Sequence, residues 1–299
     1  MKRKVARNFN ILDHYTYFVP GGAEIFILLA LLILGAIIGN VVSAVFALVL
    51  PLDKSMEYAM LVSYPLMFIP PMIYASAKSR RNCLYDNGVK LDSAHFGTVG
   101  GALCAFLVVV ATIALGVCGD ALTSILPKMP EYLEELLKSM TQGTLWINLL
   151  SVSVFAPIFE EWLCRGQVLR GLLSKGVKPV WAIILSAVFF AVIHLNPWQA
   201  VPAFLLGCLF GYIYYRTGSL KLTMLMHCAN NTVAVICSNI DGLKDMETWK
   251  DILPGNRYWI VFVACLLLVI LILRVFGRIE LQSPKGNSDQ VPPMFGELN

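Results

Sequence analysis

The sequence predicts an all-α fold, a polytopic membrane bundle of about eight transmembrane helices. Hydrophobic residues make up 58% of the 299 residues and charged residues only 14%, a balance that is typical of membrane proteins rather than of soluble domains. About eight stretches approach the roughly 20 apolar residues that a spanning helix needs. Lys and Arg are concentrated in alternate loops, as expected for a chain that crosses a bilayer repeatedly.

The apolar stretches follow one another through most of the chain. In order they are 25–50, 58–76, 96–118, 145–168, 180–195, 200–215, 220–240 and 258–275. The first is too long for a signal-peptide core, and no small-residue cleavage site follows it, so we expect it to be retained as a span. An even number of spans puts both termini on one side, and most of the 23 Lys and Arg residues fall on that side. The sequence therefore predicts cytoplasmic termini.

The remaining organisation is simple. We expect a single transmembrane domain over 1–280 and a disordered cytoplasmic tail over 281–299, where the sequence is polar and contains Pro and Gly. The net charge of +4 is explained by basic inner loops, so no nucleic-acid partner is predicted. Three G-x-x-x-G spacings favour close helix packing in lipid; they are Gly35 with Gly39, Gly97 with Gly101, and Gly207 with Gly211.

The fourth stretch ends on two adjacent carboxylates in "FEEWLCRG", residues 159–166. A carboxylate in the middle of a spanning helix costs about 2.5 to 3.5 kcal/mol on insertion scales, so both need partners or a function. Glu161 and Arg165 are four residues apart in the favourable order, which predicts an ion pair. Glu160 is turned about 100° away from Glu161. We therefore expect Glu160 to be a free carboxylate that faces the bundle interior.

Two further stretches carry polar side chains at helical spacing. His194 lies four residues after Phe190 in "FFAVIHLNP", and His227 shares a helix face with Asn231 in "LMHCANNT", whereas Asn230 is turned off that face. Each of the two histidines can meet Glu160 if the fourth, fifth and seventh helices pack together. Because His194 lies deeper than His227 when counted from the cytoplasmic ends, we expect the fifth and sixth helices to form a hairpin that ends inside the protein.

These residue types can hydrolyse a peptide bond. A carboxylate beside an imidazole can deprotonate water, which typically contributes about 10² to 10⁴ in rate. A second imidazole and a carboxamide can donate hydrogen bonds to the oxyanion that forms when water attacks the carbonyl. Cys164 lies one turn beyond Glu160, which leaves a thiol mechanism open. A single intramembrane His or Asn, by contrast, often serves only to hold helices together.

The same residues carry a resemblance to a known family. "EEWLCR", "FAVIH" and "HCANN" resemble, in that order, the EExxxR, FxxxH and HxxxN motifs of the CAAX protease and bacteriocin-processing (CPBP) membrane family, which includes the type II CAAX prenyl endopeptidases. The resemblance covers a core of about 147–235, and every motif position is matched. It implies a glutamate-dependent intramembrane peptidase in which Glu160 and His194 activate water and His227 and Asn231 form the oxyanion hole.

The resemblance also implies the supporting residues, the partners and the location of the protein. Glu161 and Arg165 would support the site, and no cofactor would be needed. The partners would be membrane lipid and a protein or peptide substrate, cleaved near a prenylated C-terminus or, as for some family members, connected with bacteriocin processing. The expected location is the cell membrane of a prokaryote.

Other functions remain open from the residues alone. One Glu and two His are a common zinc set for a hydrolase, although the sequence has no H-E-x-x-H motif. Intramembrane Glu, His and Arg could also form an ion or proton pathway in a transporter, although no inverted repeat is evident. A non-catalytic regulatory protein of the bacteriocin-immunity type is the third alternative.

Overall fold

The computed structural model describes residues 11–85, 88–243 and 248–281, with the backbone alone for 52–57. Within these ranges the fold is entirely helical and contains no strand, which confirms the predicted all-α class. The expected tail lies outside the described residues from 282 onward. The helices of the described ranges are α1 Gly22–Val49, α2 Leu52–Asn82, α3 Gly101–Thr123, α4 Glu131–Thr141, α5 Leu145–Ser174, α6 Pro179–Val192, α7 Pro197–Thr217, α8 Leu220–Cys237, α9 Trp249–Ile252 and α10 Asn256–Gly277.

Five of these helices, within the described residues, are long and apolar enough to cross a membrane: α1, α2, α3, α5 and α10. The chain is thus a multi-pass membrane protein, but the prediction of about eight spans is not confirmed. Every predicted stretch coincides with a helix, yet α6 has only 14 residues, or about 21 Å against a hydrocarbon thickness of about 30 Å. Helices α7 and α8 are long enough but not apolar enough to be among these five. Helix α8, for example, carries His227 and two Asn residues.

Helices α1 and α2 form an antiparallel pair through small residues. A methyl group on Gly35 would lie 2.1 Å from the carbonyl oxygen of Met67, and one on Gly39 would lie 2.9 Å from that of Ser63. Both positions therefore require glycine, since any side chain would push the two backbones apart. This contact fixes α2 where it borders α5.

Helices α6 and α7 form the expected hairpin. Leu195 turns the chain at φ +57°, and the Asn196 side chain caps α7 by accepting a hydrogen bond from the Gln199 N–H at 2.9 Å. A methyl group on Gly207 would lie 3.0 Å from Cβ of Ala187, so the two helices are in close contact. We expected the tip of this hairpin to lie inside the protein, and this was wrong. Leu195, at the apex of the turn, is 90% exposed.

A buried arginine fastens the N-terminal segment to α5. The Arg170 guanidinium donates to the backbone carbonyls of Gly166 at 2.6 Å, Val89 at 2.5 Å and Phe18, and to the side-chain oxygen of Gln167 at 3.1 Å. Arg170 is fully buried. Segments far apart in sequence thus meet at one cation.

Candidate active site

Helix α5 departs from α-helical geometry on both sides of the carboxylate pair. Segments Leu149–Phe155 and Trp162–Leu169 are π-helical, and the regular turn Ala156–Glu161 lies between them. π-Helical turns are uncommon and are found frequently at functional sites. The carboxylates of Glu160 and Glu161 therefore lie where the backbone itself is irregular.

The first π segment leaves a backbone carbonyl free to accept a hydrogen bond from α8. The N–H of Ala156 donates to the carbonyl of Ser151, five residues back. By the same spacing the carbonyl of Val152 would pair with residue 157, but Pro157 has no N–H. Nδ2 of Asn231 donates to this carbonyl at 2.8 Å. Asn231 thus joins α8 to α5 and keeps one amide hydrogen for another acceptor.

Glu161 lies at the centre of a buried network. Its Oε1 accepts from Nη1 of Arg165 at 2.7 Å and contacts Nδ1 of His227 at 3.1 Å. Nη2 of Arg165 donates to the carbonyl of Gly207 at 2.9 Å. The guanidinium also lies 4.7 Å and 5.3 Å from the ring centres of Phe190 and Phe210, a favourable cation–π arrangement.

Glu160 faces a different set of groups. It is 7% exposed, and its Oε1 accepts a hydrogen bond from the hydroxyl of Tyr64 on α2. Its Oε2 is buried without a hydrogen-bond partner among the described residues and lies 3.9 Å from Nε2 of His227. This distance is too long for a direct hydrogen bond, but one water molecule can bridge the two atoms.

His194 lies in the turn between α6 and α7, half-buried. Its Nδ1 is 2.8 Å from the carbonyl oxygen of Phe190. Because a carbonyl only accepts, this contact assigns the hydrogen of a neutral imidazole to Nδ1 and leaves Nε2 as an acceptor. His194 can therefore accept a proton through Nε2 without losing the bond that orients its ring.

One cavity of about 410 Å³ joins the predicted site residues. Glu160, His194, His227 and Asn231 all line it, whereas Glu161 and Arg165 lie behind the wall that Glu160 and His227 form. Most of the other lining side chains are apolar; they include Leu32, Met60, Met67, Phe68, Ile193, Leu206 and Phe210. The structure thus brings four predicted side chains around one space, and their catalytic roles remain predictions.

Two residues of this cavity were given no role from the sequence. Tyr64 has only one sequence signal, a phenol directly before Pro65 in an apolar span. Asn230 was expected off the helix face that His227 and Asn231 share. It nevertheless lines the cavity and donates to Oδ1 of Asn231 at 3.1 Å, so the cavity borders a broader arc of α8 than one helix face.

The arrangement of the possible metal ligands bears on the zinc alternative. Among the described residues, no group of three or more His, Cys, Asp or Glu side chains is arranged to hold a metal ion. Oε1 of Glu161 and Nδ1 of His227 contact each other, which leaves Nε2 as the free nitrogen of that ring. A chelator experiment tests metal dependence directly.

The fold and the site together define a class: a multi-pass helical membrane protein with a carboxylate and histidines around an apolar cavity. Residues 142–233 match the family described as type II CAAX prenyl endopeptidase Rce1-like. This match confirms the resemblance to the CAAX proteases and indicates protease activity. It includes all the predicted site residues and leaves α1 to α4, α9 and α10 unmatched. Comparison with curated proteins and with solved structures gave no match.

Proposed function

We propose that the protein is an intramembrane endopeptidase that hydrolyses a peptide bond with water activated by Glu160 and His194. One observation carries the proposal: Glu160 lines the same cavity as two imidazoles and a carboxamide, and its buried Oε2 has no hydrogen-bond partner among the described residues. Intramembrane groups of this kind are costly and are usually functional. The match to a prenyl endopeptidase family supports this function over a transporter or a regulatory protein.

In the proposed reaction, Oε2 of Glu160 takes a proton from water while the water oxygen forms a bond to the peptide carbonyl carbon. Nε2 of His194 accepts a hydrogen bond from the second O–H of the water molecule and so orients it. The tetrahedral intermediate then breaks its C–N bond, and Glu160 returns its proton to the leaving amine nitrogen. The products are a carboxylic acid, which keeps the second hydrogen of the water until it ionises to solvent, and a free amine, and no covalent enzyme intermediate forms.

The oxyanion is proposed to be stabilised by His227 and by the remaining N–H of Asn231. Glu161 faces Arg165 and is therefore an acceptor, so Nδ1 of His227 donates to it. Nε2 of His227, the other ring nitrogen, lies 3.9 Å from Oε2 of Glu160 and would be the donor to the oxyanion.

The substrate is proposed to be a protein or peptide with an apolar, prenylated C-terminus. Its prenyl chain would contact the apolar lining of the cavity, and the scissile carbonyl would lie near Glu160. The reaction needs no cofactor in this proposal, with zinc as the alternative. Bacteriocin processing remains a second possible setting for the same chemistry.

The test is cleavage of a farnesylated CAAX peptide beside its unprenylated twin by wild type and Glu160→Gln, each with and without a chelator. We expect chelator-resistant cleavage that favours the prenylated peptide and falls at least about 10³-fold in the variant, since both the base and its charge are lost. Loss with chelator and recovery with zinc would establish the metal alternative. Full activity of Glu160→Gln would contradict the role of Glu160.

We also propose that the chain forms one membrane domain over 1–280 with both termini in the cytoplasm of a prokaryotic cell. Cys83, in the segment after α2, is exposed, whereas the other cysteines are buried or half-buried. A membrane-impermeant maleimide should label Cys83 only when the cytoplasmic face is accessible. Labelling of Cys83 from outside intact cells would reverse the orientation.

A further inference from the structure

The hydroxyl of Tyr64 donates to Oε1 of Glu160 across 96 residues of sequence. Tyr64 comes from α2, outside the family match over 142–233. The contact occupies one oxygen of the carboxylate, and the other, Oε2, remains without a hydrogen-bond partner among the described residues. The two oxygens of Glu160 are therefore unequal.

Aromatic packing holds Tyr64 in this position. Its ring lies 5.7 Å from that of Phe68, which stacks on Phe159 of α5 at 5.3 Å with an interplanar angle of 17°. Phe68 is fully buried. Because Phe159 directly precedes Glu160, the same contacts that dock α2 on α5 also orient the phenol toward the carboxylate.

We propose that Tyr64 is a positioning residue of the water-activating site: it holds Oε1 of Glu160 so that Oε2 alone receives the proton from water. This inference rests on the proposed function. A carboxylate anchored at one oxygen loses its rotational freedom, and a near-attack geometry then requires less ordering. The phenol also stabilises the ionised carboxylate, the form that acts as a base.

Several other ionisable groups surround Glu160. His227 on α8 lies 3.9 Å from its Oε2, and Glu161, Cys164 and Arg165 follow it on α5. His194, from the turn after α6, lines the same cavity. The first π segment of α5 contains no ionisable side chain. Tyr64 is the neutral donor of this set, so its removal changes hydrogen bonding without changing the net charge.

Tyr64→Phe should therefore weaken Glu160 as a base and leave the apolar lining of the cavity in place. Because a hydrogen bond to a charged group is lost, we expect kcat to fall about tenfold. KM should stay within about twofold, since the ring and its apolar contacts remain.

The experiment compares wild type, Tyr64→Phe and the control Tyr58→Phe. Tyr58 lies on the same helix, is 38% exposed and does not line the cavity. Activity against the prenylated peptide gives kcat and KM. Infrared spectroscopy of the full chain gives a second readout that needs no turnover: the carboxylate stretching band of Glu160, identified by its loss in Glu160→Gln, should shift in frequency in Tyr64→Phe and stay in place in Tyr58→Phe.

The two readouts separate the possible failures. If Tyr64→Phe matches Tyr58→Phe in both kcat and the frequency of the Glu160 carboxylate band, the positioning role is overturned. If wild type cleaves neither peptide, the proposed function fails, yet the band still shows whether Tyr64 binds Glu160. A lower kcat with an unmoved band would mean that the phenol acts elsewhere than on Glu160, which also overturns the proposal.

Discussion

Two buried arginines lie five residues apart on α5 and are stabilised in different ways. Arg165 pairs with the carboxylate of Glu161 at 2.7 Å and lies between two aromatic rings. The contacts described for Arg170 are three backbone carbonyls and the amide oxygen of Gln167. Both are fully buried, so burial alone does not distinguish a site residue from a structural one.

The difference lies in what each cation holds. Arg165 orients Glu161, which in turn contacts His227 beside the cavity. Arg170 satisfies carbonyls of Phe18 and Val89, which belong to irregular segments without helical partners for those groups. The first arginine is thus linked to proposed chemistry, and the second to the assembly of the chain.

The largest effect is expected for Arg165→Leu. It leaves Glu161 as a buried charge without its cation, which should lower the free energy of unfolding by about 3 to 5 kcal/mol. The orientation of His227 is lost with it, so kcat should fall about 10² to 10³-fold in the protein that still folds. Peptide cleavage per folded molecule and denaturant titration in detergent measure the two effects.

A double variant checks the cause of this loss. In Glu161→Gln with Arg165→Leu, the uncompensated charge is absent, so the stability loss should be smaller than the sum of the two single losses by about 0.5 to 3 kcal/mol. Strictly additive losses would show that the ion pair is not the reason for the instability of Arg165→Leu.

Arg170→Leu should affect stability and spare the chemistry. The loss of several hydrogen bonds from a charged group should cost about 3 kcal/mol, while kcat of the folded fraction stays within about threefold of wild type. Arg170→Lys should not restore stability, since an ammonium lacks the planar fork that reaches carbonyls from three segments. A fall in kcat as large as that of Arg165→Leu would remove the distinction between the two arginines.

The smallest effect is expected for Gln167→Leu. Its Oε1 accepts from Arg170 at 3.1 Å, a bond worth about 1 kcal/mol. Its Nε2 is buried without a hydrogen-bond partner among the described residues, so an apolar side chain also removes a desolvation cost. The net change in unfolding free energy should lie between zero and about 1 kcal/mol, measurable by the same titration with wild type as reference.

Local spacing accounts for much of what the sequence could predict. Glu161 and Arg165 are four residues apart, and helix geometry alone places them together. The polar residues of α8 were recognised because they are expensive in an apolar stretch. The number of spans was less predictable, since a stretch such as α6 is apolar but ends early where the chain turns back.

Contacts between distant segments could not be predicted from spacing. Nothing in the sequence links Tyr64 to Glu160, because that contact depends on how Gly35 lets α2 pack and on aromatic stacking against Phe159. The bond from Asn231 to Val152 likewise depends on the π-helical segment before Pro157. Propensity and periodicity describe regular helices, and both contacts arise where the helix is not regular or where two helices meet.

The π-helical segment before Glu160 also makes the site sensitive to the length of the chain. Deleting one residue within Leu149–Phe155 would change the rotation of everything after it relative to everything before it, because hydrogen bonds between residues five apart and four apart wind the chain differently. Glu160 would then leave its present direction although every side chain of the site was unaltered. The number of residues in this segment, and not only their identity, therefore determines the direction in which the site residues point.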